Sequence, residues 1–504
     1  MIEEPTLDAL AAAAEAVGIA LTSEDDTALL FQALKRTLGT YRALDQIELE
    51  IAPVLYPRSA GYEPSLSDNP FGAWHRKTFI AGERSGKLFG KMIALKDNIG
   101  MAGVPMMNGT TVLEGFVPRD DATVVTRILD AGGLIVGNVH CECFCVSSGS
   151  NTSARGPVRN PWNTAHSSGG SSSGCTVVVS TGEVDMAIGG DQAGSIRIPA
   201  AHCGIYGMKP THGLVPYTGV LSMEPTLEHL GPMTATVADN ALLLEVVAGQ
   251  DDLDPRQYGP KTDAYSKAIG QGVAGLRIGI VQEGFGHPQS MPEVDQKVRD
   301  GAALFERLGA QVREISIPMH LQAPIIWRAL SLEGTYALAF EDCGSGFGQR
   351  GLHIAGLGGA LVNLRAKAQE LPDTVKVILT VGRYIRDHFH GEFYGKAQNL
   401  TRQLKRAYDR AFESVDLLLM PTVPFTAPVL PEGEGHRERV LRESAEVMVN
   451  TCCFNASHHP AMTVPCGLIN GLPVGMMLIG SEWQEAMIYR AAHAFEQACD
   501  WRSL

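Results

Sequence analysis

The chain has 504 residues, with 45% hydrophobic and 19% charged side chains. That is enough apolar material for two or three domains with sizeable cores, and it excludes a disordered chain. The net charge of −14, from 41 basic and 55 acidic residues, disfavours nucleic acid or an anionic membrane surface as the main partner, because both call for a basic face.

In chain order, MIEEPTLDALAAAAEAVGIA starts acidic and lacks the basic stretch of a signal peptide. No sufficiently long apolar window escapes charge or Gly interruption, so no transmembrane helix is expected. Leu30, Leu34, Leu38 and Tyr41 recur at helical spacing, and Ser23 with Asp26 resembles a capping box before them. Residues 1–75 therefore read as an N-terminal helical unit and linker, too small to bury much by itself and suited to dimerisation. Its second part (YPRSAGYEPSLSDNPFG) carries the Pro, Gly, Ser and Asn of a connecting segment.

From Leu88 the pattern turns α/β. Met92–Leu95 is an apolar run ending at Lys96-Asp97-Asn98. Val124–Ala131 reads as a helix, and Gly133–Gly137 as a buried strand. Two more apolar runs follow, Val177–Ser180 and Val184–Ile188. A second β-α-β pattern comes after the Pro/Asp-rich DDLDPRQYGP. It comprises a strand at Leu276–Val281, a helix from Pro292 to Gly309, and a strand at Val312–Ile317. Residues 320–412 read as mostly helical. Leu417–Met420 is a strand, Asn470-Gly471 joins two apolar runs as a hairpin, and Glu485–Gln497 is a final helix. The domains expected are the helical unit (1–75), an α/β core (76–255), a smaller α/β subdomain over the substrate site (256–400) and the rest of the core (401–504).

The densest signal is SSGGSSSGCTVVVSTGEVDMAIGGDQAGSIRIP, from Ser167 to Pro199. Gly is costly to order, so such a stretch calls for backbone amides or hydroxyls placed close to something. A linker is a poor reading in the middle of an α/β pattern. Gly170–Gly174 matches G-x-S-x-G with Ser172 as nucleophile, but the residues before it, Asn163–Ser168, do not read as the buried strand that motif needs. In the turn Gly189–Gly194 before Ser195, small residues leave successive amides free to converge on one oxygen. Lys96 is either a solvated charge at a strand end or a buried base, and periodicity does not choose. His140-x-Cys-x-Cys with Cys145 lacks a second Cys/His pair at zinc spacing, so core thiols are the better reading. The ten scattered Cys residues fit reduced thiols of a cytoplasmic protein.

Together, Lys96 at the end of an apolar run, SSGGSSSG, and GGDQAGSIRIPAAHCGIYGMKPT resemble the amidase signature family. Further stretches, among them DATVVTRILDAGG, GPMTATVADNALLLEVVAG and NGLPVGMM, look like a branch of enantioselective bacterial amidases known from rhodococci. The resemblance implies an α/β fold with a mixed β-sheet flanked by helices. It implies Ser195 as the acylated nucleophile, Ser171 as a bridging Ser behind a cis peptide bond, and Lys96 as the terminal base. It also implies an oxyanion hole from the amides of Gln192, Ala193, Gly194 and Ser195. Ala193 stands where many members have Gly, and Ser173 and Cys175 where Gly and Ser are commoner. Ser147, Gly149, Trp327, Thr422 and Asn455 fall in segments that lie near the pocket in that family, and Tyr336, Phe393 and Tyr394 are further aromatic candidates. The activity implied is hydrolysis of a small aliphatic or aromatic carboxamide to carboxylate and ammonia or amine, with no cofactor or metal and as a homodimer. The same triad would serve a carbamate, anilide or ester hydrolase. Transamidases that act on charged tRNA share the signature, but the acidic balance speaks against that reading. A non-catalytic binding protein would not need all three triad residues.

Overall fold

The computed structural model describes residues 2–50, 53–344, 350–431 and 435–504. Residues 51–52 of the expected linker and 345–349 of the expected helical region lie outside them. Two compact units are present, Met1–Pro53 and Val54–Leu504. The first thus ends before the boundary expected at 75. It holds helices α1 (Leu7–Ala16) and α2 (Glu24–Asp45). Ser23 caps α2 as its spacing predicts, Oγ accepting from Asp26 N at 3.0 Å and donating to the Asp26 carboxylate at 2.7 Å. Arg42 ties α2 to the chain start through the carbonyls of Ile2 and Glu3 and the Glu4 carboxylate.

In the second unit the strands are β1 (Trp74–Ala81), β2 (Met92–Lys96), β3 (Leu134–Val139), β4 (Arg159–Asn160), β5 (Asn163–Ser167), β6 (Met186–Asp191), β7 (Tyr206–Lys209), β8 (His229–Thr234), β9 (Arg277–Val281), β10 (Gln311–Ile315), β11 (Leu417–Pro421), β12 (Ala461–Ile469) and β13 (Leu472–Gly480). The helices are α3 (Thr123–Asp130), α4 (Ser173–Ser180), α5 (Arg197–Cys203), α6 (Val237–Val247), α7 (Pro292–Arg307), α8 (Ala323–Thr335), α9 (Leu357–Leu361), α10 (Asp373–Phe389), α11 (Glu392–Phe412), α12 (Arg437–Glu446), α13 (Cys452–Ala456) and α14 (Glu485–Ala498). Among the described residues, eleven strands form one mixed sheet in the order β1-β3-β2-β6-β8-β7-β12-β13-β11-β9-β10, and β4 and β5 form a separate ribbon. The pairs β2–β3, β2–β6, β9–β10 and β9–β11 are parallel. Strands β9 and β10 continue this common sheet, so the β-α-β module within 256–400 is part of the core and not a body apart.

Strand periodicity sorts the side chains into two layers. Ile93, Leu95, Met186, Ile188, Leu417, Leu419, Met476 and Leu478 face α3, α6, α7 and α14. The alternate residues Leu418, Met420, Met477 and Ile479 face α5, α8, α11 and α13, while Ala94 and Ala187 face α4. Small side chains on β2 and β6 let α4 approach closely, and that helix carries the Gly/Ser stretch. The Val177–Val179 run lies in α4 and is buried on all sides; burial overrides the weak helix propensity of Val. A third cluster, joining Phe144, Leu221, Tyr336, Phe340, Val375 and Ile378, packs the helical region against the loop after β3.

Three differences from the sequence reading have simple causes. A strand, β5, does precede Ser172, but it is a largely exposed ribbon and not a buried sheet strand. Strands β7 (YGMK) and β8 (HLGPMT) are hidden from sequence by Gly, Pro, His and Lys, and exist because both their neighbours pair with them. Strand β1 starts in the last residues of the expected linker, ahead of where the sequence reads as α/β, and exists because it pairs with β3.

Candidate active site

Lys96 ends β2, next to β6 in the sheet, with 1% of its surface exposed. Its Nζ reaches Ser171 Oγ at 2.8 Å and the Gly190 carbonyl at 3.3 Å. Among the described residues no carboxylate is paired with it. The next residue, Asp97, instead accepts from Asn138 Nδ2 (2.7 Å) and Met107 N (3.1 Å), and burial pushes its carboxyl well above the usual range.

Ser171 lies two residues before α4, and the Gly170–Ser171 peptide is cis. Its carbonyl accepts from Glu142 N at 3.2 Å. A side chain at Gly170 would meet Glu142 Cγ at 2.9 Å, so glycine is required there by close approach. Ser172, the alternative nucleophile, is fully buried, donating to Gly190 O at 3.0 Å and accepting from Gly190 N at 3.2 Å. It fastens α4 to β6.

The turn Gln192–Ile196 follows β6 and is built around the Asp191 carboxylate. Oδ1 accepts from Gly194 N (2.8 Å), and Oδ2 from Ile196 N (3.1 Å). Arg197 grips both oxygens at 3.0 and 3.1 Å, and Asn455 donates to Oδ1 at 2.8 Å. Burial pushes this carboxyl up, but the Arg197 charge and hydrogen bonds, with Asn455, outweigh it and hold it at about 2. Of the four expected oxyanion donors, Gly194 N is thus committed to Asp191. The N–H groups of Gln192, Ala193 and Ser195 have no acceptor among the described residues. Ala193 is not in the left-handed region, so its methyl group brings no backbone strain; Gly194 is, at φ 134°.

Ser195 opens onto a cavity of about 170 Å3. Its carbonyl accepts from Ser172 N at 3.2 Å, which joins the two serine segments. Ser171 Oγ and Ser195 Oγ make no direct hydrogen bond among the described residues. Gln192 and Ala193 line the cavity beside Ser195. Trp327 Nε1 donates to Gln192 O at 2.8 Å and so fixes the turn against α8. The far wall is apolar, from Leu332, Val377, Ile378, Leu441 and Met448, with Arg328 its charged lining side chain.

Of the five candidate pocket residues, Ser147 and Trp327 line this cavity. Gly149 borders a smaller neighbouring recess, which shares Ser148 with it. Thr422 is buried against Thr463 Oγ1 (3.2 Å) and Gly475 O, facing the sheet interior. Asn455 is buried as the brace of Asp191, Arg197 and Leu227. It supports the Ser195 turn from behind. Tyr336 packs in the third hydrophobic cluster, Phe393 against Phe389, and Tyr394 bonds to Glu224. Sequence reasoning missed Cys145, Arg328, Thr374 and Met448 as lining residues; they come from four separate segments and carry no common local pattern. Among the described residues no group of three or more His, Cys, Asp or Glu side chains is placed to hold a metal ion, and no helix is long and apolar enough to cross a membrane.

The chain is similar to known proteins over most of its length. A family model described as Amidase matches residues 73–489. The chain is 42% identical over 476 residues to an enantioselective amidase of Rhodococcus rhodochrous, covering 92% of this chain and 90% of that protein. It is 36% identical to a glutamyl-tRNA(Gln) amidotransferase chain of Exiguobacterium sibiricum, covering 86% and 89%. Among solved structures, a glutamyl-tRNA(Gln) amidotransferase chain of Thermotoga maritima superposes with a TM-score of 0.70 at 29% identity, covering 83% of this chain and 85% of that one. A bacterial aryl acylamidase superposes with a TM-score of 0.69 at 28% identity, covering 82% and 84%. The chain belongs to the amidase signature family, and its fold is that of the family.

Proposed function

We propose that this amidase-family enzyme hydrolyses small aliphatic or aromatic carboxamides through an acyl-enzyme on Ser195. The observation that carries the reading is the 2.8 Å contact of a buried, carboxylate-free Lys96 with Ser171 Oγ, behind a cavity that Ser195 lines. A Ser hydroxyl is a weak nucleophile without a base. Lys96 as a free amine takes the Ser171 proton while Ser171 takes that of Ser195, and Ser195 Oγ attacks the amide carbon. The oxyanion is met by the unengaged amides of Gln192, Ala193 and Ser195, and each such donor contributes roughly 3–4 kcal/mol. The relay then runs backwards to protonate the departing amine, and water releases the carboxylate by the same path.

The apolar far wall suits an aliphatic or aryl acyl group, and the helical region 323–412 shapes it. Carbamates, anilides and esters satisfy the same relay, so a panel differing only in leaving group separates them from simple amides. We further read the N-terminal unit as the contact for a second copy, which sedimentation of the full chain against one lacking residues 1–53 tests. Ten unpaired cysteines among the described residues suit a reducing compartment.

Ser195→Ala should abolish turnover, and Lys96→Ala should lower kcat by roughly 10³-fold or more. Incubating the wild-type enzyme with a slow ester and weighing it by mass spectrometry should find the acyl group on Ser195. Acylation elsewhere, or full activity in either variant, would sink the mechanism.

A further inference from the structure

The stretch Cys141-Glu142-Cys143-Phe144-Cys145 holds three thiols for which the proposed reaction has no use. The chain doubles back at Phe144 and Cys145, both at positive φ (50° and 58°), and Cys145 N closes the turn on Glu142 O at 2.8 Å. The turn brings two of the thiols onto one acceptor. Cys141 Sγ lies 3.5 Å and Cys145 Sγ 3.2 Å from Asn108 Oδ1, so one acceptor receives both thiols. Cys143 turns away towards Thr110.

The two thiols are unequal. Cys145 is half-buried and the one cysteine among the described lining residues of the cavity at Ser195; Cys141 is fully buried behind it. The Cys141 hydrogen bond lowers the Cys145 thiol to about 7 against the effect of burial, helped by a hydrogen bond from Lys96. Burial pushes Cys141 well up, and Cys143, Cys175, Cys203 and Cys466 up to about 12. Cys453 is also lowered, but it is fully buried, donates to Val449 O at 3.1 Å and lines no described cavity. Acidity, access to a cavity and an adjacent second thiol therefore coincide at Cys145 alone among the described cysteines.

We propose that Cys145 is a site of reversible oxidation on the wall of the candidate active site, with Cys141 as its resolving thiol. The co-reactant is a small hydroperoxide, which the cavity admits. The Cys145 thiolate attacks one peroxide oxygen. An S–O bond forms, the O–O bond breaks, and the leaving hydroxide or alkoxide takes up a proton, giving a sulfenic acid. Cys141 sulfur then displaces the sulfenic oxygen as water and forms the S–S bond. In sum two thiols lose two electrons and two protons, and the peroxide is reduced to water or an alcohol plus water. The positive-φ turn already brings both sulfurs onto one acceptor, and closing the disulfide withdraws both thiols from Asn108 Oδ1.

The test treats the full chain with hydrogen peroxide near pH 7 and follows every cysteine by peptide mapping. At that pH a thiol titrating near 7 is about half thiolate, against about 3% for an ordinary one, so Cys145 should react roughly ten-fold ahead of the other cysteines. The expected product is a Cys141–Cys145 disulfide that dithiothreitol reverses. In Cys141→Ala the reaction should stop at a Cys145 sulfenic acid that dimedone traps. If Cys145 stays reduced while other thiols oxidise, or pairs with a cysteine other than Cys141, the proposal is overturned. Because the readout is the thiol map, it stands or falls independently of the amide chemistry.

Discussion

Gly194 sits at φ 134°, and a Cβ there would come within 2.7 Å of Ile198 Cδ1 and of Thr451 Cβ. Thr451 has little room to move, since its Oγ1 already donates to Ala193 O at 2.6 Å. Gly194→Ala should therefore displace the turn that presents Ser195. We expect kcat/KM to fall by roughly 10²-fold, mostly in kcat, because a small misplacement of reacting groups costs that much; steady-state kinetics on a correctly folded variant checks this. Asp191 sets the pH response of the same turn. Its carboxyl is held at about 2 in the folded chain, against about 3.9 unfolded. A depressed carboxyl contributes stability that is complete above the unfolded value and is lost as pH falls through the folded one. About 2 kcal/mol should thus disappear between roughly pH 4 and pH 2. Acid unfolding followed by tryptophan fluorescence should show Asp191→Asn lacking that increment while being less stable at pH 7, where it leaves Arg197 buried without its charge partner.

At the scale of elements, the local signals that held are those satisfied within a few residues. Ser23 caps α2 through Asp26 N, and Asn470 and Gly471, at φ 51° and 78°, turn β12 into β13 as the Asn-Gly pair predicts. Nothing lies within 4 Å of a Cβ placed on Gly471, so Gly471→Ala isolates the backbone cost. It should lower stability by about 1–2 kcal/mol, read as a lower urea midpoint with an unchanged slope. The signals that misled are those decided by distant partners. The β-branched run Val177–Val179 is helical because α4 is enclosed by β2, β6 and α5. His229–Thr234 is a strand despite Gly231 and Pro232 because β6 and β7 flank it.

For the whole molecule, β12 and β13 are the bridge of the sheet. They join the half built before residue 240 to the half built from β9, β10 and β11. A chain ending at Ala456 should leave β7 and β11 as open, buried-type edges and be recovered as aggregate, as sedimentation and circular dichroism would reveal. Net charge acts at the same scale. Several relatives are amidotransferase chains named for glutamyl-tRNA(Gln), but a chain of −14 is expected to show no tRNA band shift at physiological ionic strength. A salt-sensitive shift would reopen the transamidase reading.

The sequence alone carried the family and the α/β class, because its motifs are local, contiguous signals, and through the family resemblance it named Lys96, Ser171 and Ser195 as the candidate trio. Tertiary structure decided that Lys96 Nζ meets Ser171 Oγ, since the segment leading into α4 reaches β2 only when that helix packs on the sheet. It decided that the Gly194 amide is spent on Asp191, and that Asn455 braces the turn while Thr422 faces the interior. It also decided which side chains from the helical region form the cavity wall. Contacts between distant segments depend on packing and pairing that no short stretch of chain encodes.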